Sequence, residues 1–110
     1  MSYLVTVTFD LKNASAEDYT NVYEAFAKLG LHQQLKADNG AVVQLPTTTC
    51  VGTFTGTTAG SVRDDMANRC ETAIEQLGLS GEVFVVVGGN WAWGHRTPKA
   101  PAKGFQIKMR

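Results

Sequence analysis

The sequence predicts an α+β domain in which a strand, a helix, two strands, a second helix and a last strand follow one another. Three features carry the prediction. Tyr3, Val5, Val7 and Phe9 alternate with Leu4, Thr6 and Thr8, the period of a half-buried strand. Tyr19, Val22, Tyr23, Phe26 and Ala27, and later Val62, Met66, Cys70, Ala73, Ile74 and Leu77, recur at helical spacing as two apolar stripes. Glu82 to Val87 is nearly continuously apolar, which suits a strand buried on both faces.

A chain of 110 residues that is 44% hydrophobic and 18% charged can bury one core, so a single domain is expected over residues 1–93. Residues 94–110 differ in character. The first 93 residues hold five cations against ten acids, a net charge of −5, whereas the last 17 carry Arg96, Lys99, Lys103, Lys108 and Arg110 and no acid, a net charge of +5. Such a basic tail can reach for phosphates, or can fold back on its own acidic body or on a partner copy. No apolar run approaches the roughly 20 residues of a membrane span, so no membrane partner is expected. Met1-Ser2-Tyr3 enters a strand without a basic, apolar leader, which predicts a cytoplasmic location. Cys50 and Cys70 lack zinc or redox spacing and are expected to be free, reduced and buried.

Ser15 is an N-cap followed by the acids Glu17 and Asp18, so a helix is predicted over 16–29 with Gly30 as its left-handed terminus. Leu31 to Ala37 can return as a strand, and Asp38-Asn39-Gly40 is a turn leading into Ala41 to Leu45. Pro46 interrupts the ladder. In the threonine-rich strand that follows, Thr49, Val51 and Thr53 share one face and Cys50, Gly52 and Phe54 the other. Thr58 to Ser61 offers caps for a second helix over 59–77, whose mixed solvent-face charges, Asp64 and Asp65 among them, read as solvation and weak i,i+4 pairing. After Gly88-Gly89-Asn90, the stretch Thr97 to Gly104 is a linker by composition, and Phe105 to Met109 alternates as an extra strand would, in its own sheet or in that of another subunit.

Asp10 is the leading candidate for chemistry. It ends the first strand at the sheet's edge, where a backbone-fixed carboxylate can ligate a metal or accept a proton; the competing role is to start a turn. His32 has no second ligand near it in sequence and reads as a surface or packing residue. Tyr19 and Tyr23 read as core. Trp91 and Trp93, at i, i+2 beside His95 and Arg96, can stack bases and hold phosphate with Lys99 and Lys103, or can cover a core edge or a protein partner.

The element order is a split βαβ repeat, for which two helices on one face of a four-stranded antiparallel sheet, the ferredoxin-like sandwich, is the economical packing. Within it, Tyr3 to Asp10, Ala37-Asp38-Asn39-Gly40 with Gln44-Leu45, and Thr53 to Thr55 with Ala59, Asp64 and Cys70 resemble the GhoS-like antitoxins of type V toxin–antitoxin systems over roughly residues 3–75. That family is similar in fold to the small dimeric nuclease of CRISPR adaptation, which has an acid at the end of its first strand, the place Asp10 occupies. The resemblance implies an endoribonuclease cleaving a toxin's messenger RNA, with Asp10 as general base or as ligand of a divalent cation, Mg or Mn. GhoS-like proteins carry basic residues on the first helix, whereas this helix has Glu17, Asp18 and Glu24 with only Lys28, its cations lying instead in the tail.

Two functions therefore stand as expectations. One is an antitoxin endoribonuclease acting on single-stranded RNA, bound by Trp91, Trp93, His95, Arg96, Lys99 and Lys103. The other is a non-catalytic dimeric interaction module that binds a protein partner through Trp91, Trp93 and the basic tail. Sheet edges in need of cover, with a terminal strand beyond the Pro-containing linker, predict a homodimer in either case.

Overall fold

The computed structural model describes residues 1–100 and shows an α+β arrangement of two helices with antiparallel sheets. Strand β1 (Ser2–Leu11) lies at the centre of a three-stranded sheet, between β4 (Thr49–Thr55) and β5 (Gly81–Gly88). Its alternation sets the layers. Tyr3, Val5, Val7 and Phe9 are buried on one face, where they meet Val22 and Phe26 of α1 (Ala16–Lys28) and Val62, Met66, Cys70 and Ile74 of α2 (Ala59–Gln76) in one core. Both helices thus cover the same face of β1.

The helices begin and end where the sequence places their signals. Ser15 Oγ accepts from the Asp18 N–H at 3.2 Å while Asp18 Oδ2 accepts from the Ser15 N–H at 2.9 Å, and Thr58 with Ser61 repeats this capping box before α2. Gly30, at φ 96°, lets the chain leave α1 in the left-handed region.

The expected four-stranded sheet is not a single ladder. Strands β2 (Gln34–Lys36) and β3 (Val42–Gln44) pair with each other as a separate two-stranded sheet, joined to β4 only by the His32 bridge to Val51. The reason lies in the connection around Pro46. The Thr49 N–H, two residues before Val51 on the same outer edge, donates to the Pro46 carbonyl at 3.3 Å, so the ladder begun at His32 has no donor there. Gly40, at φ 89°, meanwhile closes β2 onto β3 through the Ala37 to Ala41 turn.

The last strand also departs from expectation. Val83, Val85 and Val87 pack against the core, but Phe84 and Val86 are 65% and 49% exposed, so β5 is covered on one face only. Cys50 and Cys70 are free and buried as expected. No helix among the described residues is long and apolar enough to cross a membrane. The predicted strand Phe105 to Met109 lies outside the described residues, as does Lys103.

Candidate functional site

Asp10 stands on the open face of the sheet, opposite the helices, and its cross-strand partner is Glu82 at the start of β5. Directly opposed residues of an antiparallel pair point to the same face with Cβ atoms about 5 Å apart, so two carboxylates project side by side. Both are exposed. They line a cavity of about 430 Å³ together with Thr8, Phe9, Thr48, Val83 and Phe84, a lining with two acids and no cation among the described residues. Neither acid takes part in an ion pair among the described residues, whereas Asp64 and Asp65 are held by Arg63 and Arg69 on the solvent face of α2.

The backbone beneath this pair is fixed from three sides. Phe9, immediately before Asp10, packs on Tyr19, Tyr23 and Phe26, with ring centroids 5.9, 5.6 and 5.2 Å away. Leu11, immediately after it, donates its N–H to the Tyr19 hydroxyl at 3.1 Å, and that hydroxyl reaches the Leu11 carbonyl at 3.5 Å. Across the sheet, Gly81 admits the Asp10 carbonyl oxygen where any Cβ would collide with it, so the two strands close tightly at the acid end. Thr48 completes the wall. It is a β-branched residue at φ 62°, a conformation that costs about 1–3 kcal/mol and persists only when its surroundings enforce it. Those surroundings are identifiable: the Thr48 N–H donates to the Tyr23 hydroxyl at 2.8 Å, and its carbonyl accepts from the Phe9 N–H at 3.2 Å.

Trp91, Trp93, His95, Arg96 and Lys99 do not line the Asp10 cavity. Trp91 and Trp93, each 38% exposed, line a different cavity of about 430 Å³ with Ala92 and with Ala37 and Asp38 of the β2–β3 turn. His95 is half-buried, Arg96 turns back to donate to the His95 carbonyl at 2.9 Å, and Lys99 is exposed. His32 is exposed and serves the sheet through its backbone, exchanging both hydrogen bonds with Val51 at 2.7 and 2.8 Å. Glu82, Gly81 and Thr48 are the site residues that sequence reasoning missed. Glu82 is visible only once β1 and β5 are put in register.

No group of three or more His, Cys, Asp or Glu side chains gathers among the described residues, so any cation at Asp10 would rest on the Asp10 and Glu82 pair. That donor set fits Mg or Mn, which bind through one or two carboxylates and complete their shell with water and substrate phosphate oxygens. No family model matches the chain, and no curated protein matches it.

Proposed function

We propose that the chain is a ferredoxin-like, GhoS-like antitoxin endoribonuclease that cleaves single-stranded, toxin-encoding RNA in the cytoplasm, with Asp10 at the centre of the reaction. The observation that carries the reading is the Asp10 and Glu82 pair. Like charges directly opposed on neighbouring strands are destabilising, and the fixed backbone around them leaves only side-chain torsions to relieve it. A divalent cation between them would remove that repulsion and supply Lewis-acid stabilisation for charge developing on a phosphate. Asp10 would hold it or would take the proton of the attacking hydroxyl, and Glu82 would share the charge. A cavity lined by acids and no cation repels RNA by itself, so phosphate neutralisation falls to Arg96, Lys99 and Lys103, and Trp91 and Trp93 would stack bases of the same strand. The ferredoxin-like reading is supported by the order β4-β1-β5, both helices on one face and the His32 bridge beyond β4.

Purified protein with Mg or Mn is expected to cleave single-stranded RNA, and Asp10→Ala to lower the rate about a hundredfold or more without loss of fold. The triple variant Arg96→Ala, Lys99→Ala, Lys103→Ala should weaken binding and flatten its salt dependence while sparing the rate at saturating RNA. A second reading, a non-catalytic module that grips a protein partner, is favoured by the separate position of Trp91 and Trp93 beside the β2–β3 turn. It takes the place of the first if wild-type protein fails to cleave RNA that it binds.

A further inference from the structure

The sheet has two edges, and they are built differently. Beyond β4 lie the His32 bridge, the β2–β3 hairpin and Pro46. Beyond β5 lies no strand among the described residues. Natural edge strands carry lysine, proline, a bulge or short length against unwanted pairing, but β5 runs for eight residues, Gly-Glu-Val-Phe-Val-Val-Val-Gly, with no cation and no proline. Its outward-facing Phe84 and Val86, 65% and 49% exposed, are the large apolar side chains that the three-stranded sheet leaves open to solvent among the described residues.

The sequence of β5 fits a second copy of itself. A two-fold axis perpendicular to the sheet requires opposed residues to share a face, which permits only registers centred on a residue. Centring on Val85 opposes Phe84 to the partner's Val86, Val83 to the partner's Val87 and Glu82 to the partner's Gly88. Each exposed apolar side chain then meets another on the open face, and the two Glu82 carboxylates lie at opposite ends, roughly 20 Å apart at about 3.4 Å per residue. Centring on Phe84 instead puts each Glu82 against the partner's Val86, and centring on Val86 shortens the paired stretch. We infer that β5 pairs antiparallel with β5 of a second copy of this chain about an axis at Val85, joining two three-stranded sheets into one of six strands. Assembly stops at two because, among the described residues, each copy has one open edge, the other being occupied by the hairpin. The inference does not rest on the nuclease reading.

A strand pair of this length buries an area at the small end of specific interfaces, so association is expected in the micromolar range. The 110-residue chain should sediment as a dimer at 200 μM, and added salt should not dissociate it, because the seam is apolar and salt screens only charged contacts. Phe84→Lys and Val86→Lys each place an ammonium in the seam at an exposed position; each should keep the melting curve and raise the dissociation constant at least tenfold. Phe84→Cys and Val86→Cys should form a mixed disulfide when combined and oxidised, with little self-linking by either alone. A monomer at 200 μM, a dimer indifferent to Phe84→Lys, or a dimer lost on deleting residues 101–110 overturns the inference. Strong self-linking of Phe84→Cys overturns the register.

Discussion

Raising the pH should expose how completely the two thiols are sealed in the core. Burial pushes Cys50 from 9.0 up to about 11; burial, with the adjacent Cys50 adding a smaller electrostatic contribution, pushes Cys70 up to about 12. Both groups keep their protons in the folded chain at a pH where the unfolded chain has lost them. Unfolding therefore releases protons above pH 9, and stability falls as pH rises from about 9 toward 11 and 12, whereas below pH 8 neither thiol contributes a slope. At pH 10 the unfolded thiols are past their midpoint and the native ones remain protonated, so the pair together removes on the order of 3 kcal/mol. For a chain of this size that lowers Tm by roughly 10 °C. The assay is urea unfolding at pH 8 and pH 10 for wild type and for Cys50→Ala/Cys70→Ala. Other groups titrate in both proteins, so the difference between the two slopes isolates the thiols. The double variant should be weaker at pH 8, because it leaves two small cavities, and flatter with pH. Equal losses between pH 8 and pH 10 would refute the argument that these thiols are buried and unionised.

Three further outcomes follow from the same packing. Gly52→Ala should destabilise by about 1–3 kcal/mol or more, because the new methyl overlaps the Gly30 carbonyl at the end of α1 and neither backbone can move freely; thermal melting checks it. Tyr23→Phe should cost about 1–3 kcal/mol by stranding the Thr48 N–H, and hydrogen exchange at Thr48 should quicken more than at Val7 in the centre of β1. Thr48→Asn, which tolerates φ 62° better, should raise stability by up to about 1 kcal/mol in denaturant titration; a loss would mean that the threonine side chain supports the wall more than its backbone strains it.

How much of this was legible in the sequence depends on whether the information is local. The alternation of β1, the caps at Ser15 and Thr58, and Gly30 after the first helix are local patterns, and the structure reproduces each of them. The two sheets are not local. Nothing in Leu31 to Ala37 shows that the Thr49 N–H will be claimed by Pro46, and that one bond limits β4 to a single bridge with the returning chain. The apolar run of β5 misled for a different reason, since periodicity cannot separate a strand buried on both faces from one whose outer face is exposed; Phe84 and Val86 belong to the second kind. The candidate site divides in the same way. Asp10 was legible because it ends a clear strand, but Glu82 stands opposite it only through the register of β1 on β5, and the helical stripe that marks Tyr19 and Tyr23 as core says nothing of their hydroxyls.

Those hydroxyls decide how Asp10 can act. A carboxylate on a mobile loop could swing away from Glu82 and relax the repulsion between them, whereas Asp10 follows a phenylalanine locked among three aromatic rings and precedes a leucine held at both backbone groups by Tyr19. Only its own side-chain torsions remain free. Tyr19→Phe should therefore leave the core nearly intact and loosen the Leu11 end of β1. In the proposed enzyme, kcat should fall while RNA binding through the tail persists, because the acid is then free to leave its neighbour. A matching rise in KM with unchanged kcat would show instead that Tyr19 supports substrate binding, and no change in either would show that the aromatic packing of Phe9 alone holds the acid in place.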